Sequence, residues 1–411
     1  MQRHDPDELV TLRALALMLA RGSVSGTVAP YGSVILLEAG LPPALLGPLA
    51  ALGALATLLA APTWGRLGDR HGRRRLLAFT MLVGAPVALA HATGIVAVVA
   101  VAYVLWAALS AAFIPLSDSL ILGRLRGDRS RFARVRVGAS GMYMAVVVIL
   151  GALVSGTALG WAAPGVVGFG LCLLATAGLV GRLRGELLSG SGVVVRGGTG
   201  LVAGILAGVR RHRRFLVGLA LVFCGSNAPS IFTGPRVAEV GGNGWEVGLA
   251  IAAGTLVELP AFVTLPWLLR AFGNRRVFVA GGVLLGVAGM TSALAPTPEL
   301  LIAARLLFGA GYAWVVLPSL AAISGAASPG EHAASAALHF ATQAGGSLLV
   351  ALAGLPLVVA TGSVAAVLAV AALAAPAGAL VALGAWPRAA SETGGTGPSE
   401  AVAVTQAPVS S

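Results

Sequence analysis

Gly65-Arg66-Leu67-Gly68-Asp69-Arg70-His71-Gly72-Arg73-Arg74-Arg75 places five arginines between two apolar runs, 44–65 and 76–93. Each run is close to the roughly 20 residues that a helix needs to cross a bilayer core. Short loops that collect arginine between such runs mark the side of a membrane on which positive charge is retained. Gly68 and Gly72 allow a tight turn and a close approach of the helices it joins.

The same pattern extends in both directions. Of 411 residues, 57% are hydrophobic and only 10% charged, with a mean hydropathy of +0.91. A water-soluble chain is about a quarter charged, so a polar shell cannot be assembled from this composition and lipid must cover much of the outside. The net charge of +12 comes entirely from arginine, with no lysine. In a soluble protein it would suggest nucleic acid; here the loops account for it, and no nucleic-acid partner is expected. Cys172 and Cys224 both lie in apolar runs, so no disulfide framework is implied. The apolar run after Arg13 is too long for a cleavable signal and reads as a retained first span.

Cutting at charges, Gly/Pro clusters and polar turns yields twelve spans: 12–38, 44–65, 76–93, 95–122, 135–159, 161–181, 215–238, 246–269, 276–295, 299–324, 333–358 and 362–386. With the N-terminus inside, 24 of the 27 arginines fall on the inner side; Arg236 alone is outer, and Arg21 and Arg305 lie within spans. A wrong count before the middle would scatter that pattern, so both termini are expected in the cytoplasm of a cell-membrane protein. The polar stretch 183–214 is expected to be a cytoplasmic loop dividing residues 1–182 from 215–388, with 389–411 a disordered tail. Gly72-Arg73-Arg74-Arg75 recurs as Gly273-Asn274-Arg275-Arg276 after the eighth span, about 200 residues on. A repeated six-helix unit suits carriers that rock two halves about a central site.

The stretch 65–75 resembles the major facilitator signature G-x-L-x-D-R-x-G-R-R between spans two and three. That resemblance implies an all-α membrane protein with twelve transmembrane helices in two pseudo-symmetric six-helix bundles. It also implies a gating role for Gly65, Asp69, Arg70, Gly72, Arg73 and Arg74, although a purely topogenic basic loop has the same appearance. A finer similarity, to sugar efflux transporters, rests on Phe223-Cys224-Gly225-Ser226-Asn227, Leu256-Val257-Glu258-Leu259-Pro260 and Arg134-Val135-Arg136. The chain departs at Gly151-Ala152-Leu153-Val154-Ser155-Gly156, which lacks the Gly-Pro step of antiporters. Pro115-Leu116-Ser117-Asp118-Ser119 is also similar to proton-coupled sugar and aromatic-acid importers. Proton-coupled export of a sugar-like compound or drug is the leading expectation, with proton-coupled import of a sugar or small organic acid on the same fold as the alternative.

Ionisable groups within spans are costly and are functional candidates by default. Glu258 lies twelve residues before Arg270, roughly 18 Å from the inner surface at 1.5 Å per residue. A carboxyl at that depth can load and release a proton as access alternates, hydrogen-bond a solute hydroxyl, or simply bond a neighbouring helix. Asp118 and Arg21 reach similar depths, roughly 9 and 12 Å from the inner boundary, and are expected to pair, with Arg136 a rival partner. Arg305 resembles an intramembrane arginine that proton antiporters carry in span four, displaced here to span ten; snorkelling to the outer interface is the alternative.

Asn227, Tyr31, His339 and Gln343 add polar groups to spans seven, one and eleven, consistent with a mildly polar cavity or with helix–helix hydrogen bonds. No Ser/His/Asp set, metal-ligand cluster or Gly-Lys-Thr phosphate loop appears. The expectation is therefore a carrier rather than an enzyme, without cofactor, working as a monomer on a small molecule and protons. A non-transporting receptor is the rival of another class.

Overall fold

The computed structural model describes residues 6–125, 129–181, 200–325 and 332–387. Two short 3-10 turns apart, these residues form fourteen α-helices: α1 Pro6–Ser25, α2 Val28–Glu38, α3 Leu46–His71, α4 Arg73–Ala90, α5 Val96–Ser110, α6 Phe113–Arg124, α7 Arg129–Gly156, α8 Ala163–Gly181, α9 Gly200–Glu239, α10 Gly244–Phe272, α11 Asn274–Leu294, α12 Pro298–Gly325, α13 His332–Thr361 and α14 Ala365–Gly384. Ten stretches among them are long and apolar enough to cross a membrane. Leu59, Leu174, Val263, Leu352 and Val359 lie at least 65% exposed, a scattered apolar surface that lipid, not water, must cover. The chain is a multi-pass membrane protein.

Several span expectations need correction. The first span is not continuous: α1 ends at Ser25 and α2 starts at Val28. The break is answered internally, as a lipid-depth break must be, by Thr27 Oγ1 donating to the Val24 carbonyl at 2.7 Å. The expected fourth span, 95–122, is matched by one apolar stretch, Val96–Leu122, within which α5 and α6 meet at Ala111–Ala112. Much of the expected 183–214 loop is helical, because α9 already begins at Gly200 and bends at His212. The expected tail, 389–411, lies outside the described residues.

The quoted arginine stretch is barely a loop. Gly65–His71 forms the last turns of α3, Arg73 opens α4, and the chain turns at Gly72 with φ +89°. Gly273 repeats the device between α10 and α11 with φ +79°. Glycine adopts this left-handed backbone at no steric cost.

Packing also repeats. In the first half α1 packs on α7, α3 on α5 and α4 on α8; in the second, α9 packs on α13, α10 on α12 and α11 on α14. The halves meet where α7 lies on α10, α3 on α13 and α2 on α9. Small residues bring these backbones together: a Cβ on Gly47 would stand 2.8 Å from the Ala351 carbonyl oxygen, and one on Gly248 would stand 2.9 Å from that of Val147. Among the described residues, every such glycine approach between the halves falls at the end away from the arginines.

Arg236, the outer-side exception, has a local explanation. Its guanidinium donates to the carbonyls of Ser292, Ala293 and Ala295, at the C-terminal end of α11, at 3.4, 3.1 and 2.9 Å. Cations suit the negative end of a helix. Its neighbour Glu239 accepts from the Val364 amide and the Ser363 hydroxyl at the start of α14.

Candidate functional site

The first half gathers its charges around Asp118 on α6. Its Oδ1 lies 3.4 Å from Arg21 Nη1 on α1, and its Oδ2 lies 3.0 Å from Arg136 Nη1 on α7. The two expected rivals therefore share one carboxylate. They differ in setting: the Arg21 side chain is 9% exposed and that of Arg136 is 51% exposed. Arg21 is thus held in the packed bundle, while Arg136 reaches into open space near the seam.

The second half gathers around Glu258 on α10, which is half-buried. Arg305 on α12 and Arg136 on α7 are both within electrostatic reach of its carboxyl. Arg136 is thus paired with an acid of its own half and within electrostatic reach of one from the other. Tyr143, two helical turns along α7 from Arg136, is within electrostatic reach of Arg305 and Glu258. Tyr312, two turns along α12 from Arg305, is also near Glu258 and receives a 3.4 Å contact from Gln343 Nε2. Residues seven apart share a helix face, so that spacing was the available signal for Tyr143 and Tyr312, neither of which was singled out in the sequence.

Arg305 is not a snorkelling side chain. It is 7% exposed, its guanidinium carbon lies 4.0 Å from the centroid of the Phe308 ring, and its Nε and Nη1 have no hydrogen-bond partner. The side chain fits because α10 and α12 almost touch: a Cβ on Gly309 would overlap the Gly254 carbonyl oxygen, and one on Gly254 would stand 3.3 Å from Arg305 Nη2.

The remaining candidates divide. Asn227 Nδ2 donates to the Gln343 carbonyl at 2.9 Å, tying α9 to α13 on the side where Gln343 meets Tyr312. The Tyr31 hydroxyl donates to the Val147 carbonyl and is fully buried, a helix–helix bond. His339 Nε2 lies 2.9 Å from Ser319 Oγ, whose hydroxyl faces the Val315 carbonyl at 2.7 Å. With Ser319 donating to Val315, His339 donates through Nε2 and keeps Nδ1 as a bare acceptor, a neutral packed histidine. Among the gating candidates, Arg74 is buried and its Nε and Nη2 donate to the Leu179 carbonyl at 3.0 and 2.6 Å, tying α4 to α8 within one half. Gly65, Arg70 and Arg73 sit at the α3–α4 corner; the Asp69 side chain lies outside what is described. A cavity of about 210 Å³ opens nearby between α1, α4, α6 and α8, lined by Arg13, Arg74 and Arg124; it lies within the first half rather than at the seam. Among the described residues no three His, Cys, Asp or Glu side chains converge as metal ligands.

Residues 17–189 match the MFS_1 like family. The chain is 28% identical over 281 residues, 66% of its own length and 68% of the relative's, to a maltose permease of Geobacillus stearothermophilus. Its fold is similar to that of the nucleoside transporter NupG, solved as a point mutant, with a TM-score of 0.77 at 14% identity over 92% of this chain and 98% of that one. It is also similar to an auto-inhibited POT family peptide transporter, with a TM-score of 0.70 at 16% identity over 96% and 99% of the two chains.

Proposed function

For a chain of the major facilitator type, with a transporter fold along nearly its whole length, we propose secondary active transport of a small molecule by alternating access. The reading takes residues 1–182 and 215–388 as two six-helix bundles making twelve spans, joined through 183–214, with 389–411 a cytoplasmic tail. α1 with α2, and α5 with α6, each count as one span broken at mid-course. Both termini and the arginine corners face the cytoplasm, and the protein works as a monomer in the cell membrane.

One observation carries the proposal: Arg136 on α7 pairs with Asp118 of its own half at 3.0 Å while lying within electrostatic reach of Glu258 on α10, the helix of the other half that packs on α7. A shared cation between two halves ties the charge state of each carboxyl to how the halves sit. Protonating Glu258 weakens its pull on Arg136 and leaves that arginine to Asp118; ionising it restores the competition. Proton loading at Glu258 thereby biases the seam, which is what coupling to a proton gradient requires. Tyr312 supplies a neutral hydroxyl near Glu258, and Gln343 and Asn227, linked to it in turn, add further neutral donors and acceptors for a solute. The close glycine contacts at the arginine-poor end support a state closed there and open toward the cytoplasm.

Proton-coupled export of a sugar-like compound or drug is the direction implied by the similarity to sugar efflux transporters. Import is a second reading, favoured by the maltose permease relative. A non-transporting receptor would bind solute without flux. Purified chain in proteoliposomes with an imposed pH gradient tests these readings against a panel of sugars, glycosides and cationic drugs. Gradient-driven flux that is lost in Glu258→Gln supports the proposal. Tight binding with no flux in either orientation of the gradient refutes it.

A further inference from the structure

Three arginines, Arg21, Arg136 and Arg305, stand against two carboxyls, Asp118 and Glu258, in this electrostatically linked group, and their charges do not balance. Asp118 takes two arginines, Arg21 and Arg136. Arg305 is left without an ion-pair contact, more than nine-tenths buried, with Nε and Nη1 unbonded. Stacking on Phe308 satisfies the face of the guanidinium but none of its N–H donors. Glu258 is a carboxyl within electrostatic reach of Arg305, yet among the described residues no hydrogen bond joins them, and Arg136 competes for the same carboxyl. An uncompensated buried guanidinium is costly, so an anion from elsewhere is the complement the site lacks. Nη2 packs against Gly254, where an added Cβ would stand 3.3 Å from it, so the donors left for an anion are Nε and Nη1.

We infer that Arg305 is an anion-recognition residue: the transported solute carries an organic oxyanion, a carboxylate or a phosphate ester, that Arg305 binds on the face of α12 shared with Phe308 and Tyr312. The inference rests on the transport reading above and narrows its substrate class. It also has a consequence for coupling. A bound oxyanion and an ionised Glu258 repel each other and compete for Arg305 and Arg136, while Tyr143 and Tyr312 offer each a neutral hydroxyl. Oxyanion binding therefore favours protonated Glu258, so that proton and solute travel together, the arrangement of an importer.

Thermal unfolding of the purified full chain in nanodiscs, at constant ionic strength, tests this with glucuronate, glucose 6-phosphate and neutral glucose as probes. Wild type is expected to be stabilised by at least one oxyanion and not by glucose. Glucuronate alone assigns a carboxylate, glucose 6-phosphate alone a phosphate ester. The shift should vanish in Arg305→Gln, persist in weakened form in Arg305→Lys, and appear at several-fold lower probe concentration in Glu258→Gln. Wild type that responds equally to glucose and to the oxyanions, or an undiminished shift in Arg305→Gln, overturns the inference. Should Arg305→Gln fail to elute as a single species, Glu258→Gln decides, and weaker oxyanion binding there overturns it. Glucose flux in proteoliposomes without oxyanion binding sustains the transport reading while sinking this one.

Discussion

Gly151 on α7 lies so close to Gly244 on α10 that a Cβ added to Gly151 would stand 2.6 Å from the Gly244 carbonyl oxygen. Ser155, one turn further along α7, donates to Asn243 Oδ1 at 2.8 Å, and its Oγ accepts from the Trp245 amide at 2.9 Å. These contacts seal the halves at the arginine-poor end. A backbone atom on the far side of such a contact cannot swing away as a side chain does.

Gly151→Val should therefore prop the seam apart at that end. The expected outcome is a protein that still folds but favours the opposite state, with a cysteine placed at Ser155 labelled several-fold faster from the arginine-poor side. Unchanged labelling would show that the seam tolerates the extra bulk.

Asp118→Asn removes the carboxylate charge that answers both Arg21 and Arg136 and replaces one of its two acceptor oxygens with an amide donor. Because Arg21 is packed and Arg136 half-exposed, the loss should come almost wholly from Arg21. We expect about 1–3 kcal/mol of destabilisation for Asp118→Asn, and only about 0–1 kcal/mol for Arg136→Gln. Adding Arg21→Gln to Asp118→Asn should recover part of the first loss. Thermal unfolding of the three variants in detergent measures this, and equal effects of Arg136→Gln and Asp118→Asn would contradict it.

Arg236→Met deletes donors to three carbonyls at the end of α11 and a 3.0 Å pair with Glu239. The freed carbonyls belong to the buried residues Ser292, Ala293 and Ala295, so destabilisation of about 1–3 kcal/mol is expected. Lysine has a single charged head in place of the planar fork, so Arg236→Lys should restore only part of it. Full recovery by lysine would show that charge at the helix end matters more than the hydrogen bonds.

Gly309→Leu should act differently, since α10 and α12 pack within one half. Overlap with the Gly254 carbonyl oxygen separates the two helices and displaces Arg305 from its place against Gly254. Lower thermal stability together with loss of proton-driven flux is expected; retained flux at wild-type rate would mean that the Arg305 position is not needed for transport.

The spans were largely legible because lipid imposes a length and an apolar composition that a sequence displays directly, and the arginines mark one end of the bundle. Counting residues put Asp118 and Arg21 at matched expected depths, and the pair that this suggested is present, with Arg21 Nη1 3.4 Å from Asp118 Oδ1. What counting does not give is azimuth. Arg305 sits near a span end and so resembled a snorkelling residue; only the helix face it shares with Tyr312, and the glycine crossing of α10 and α12, turn it inward. Tyr143 was hidden for the same reason. The break at Gly26–Thr27 was also illegible: glycine and threonine are both tolerated within membrane helices, and the hydrogen bond that closes the gap runs from a side chain to a carbonyl three residues back. Gly72 and Gly273 were visible as a repeat, but their positive φ, which makes each corner a single residue, emerged only from the fold.

The account stands on the seam between α7 and α10 opening and closing during transport. Spin labels at Thr157 and Trp245, one on each side of that seam, measure it directly by pulsed dipolar distance in liposomes. Two populations are predicted, a short distance matching the sealed end and a longer one whose share changes when the pH gradient is imposed or when Glu258→Gln is introduced. A single short distance under all of these conditions would contradict alternating access through this seam.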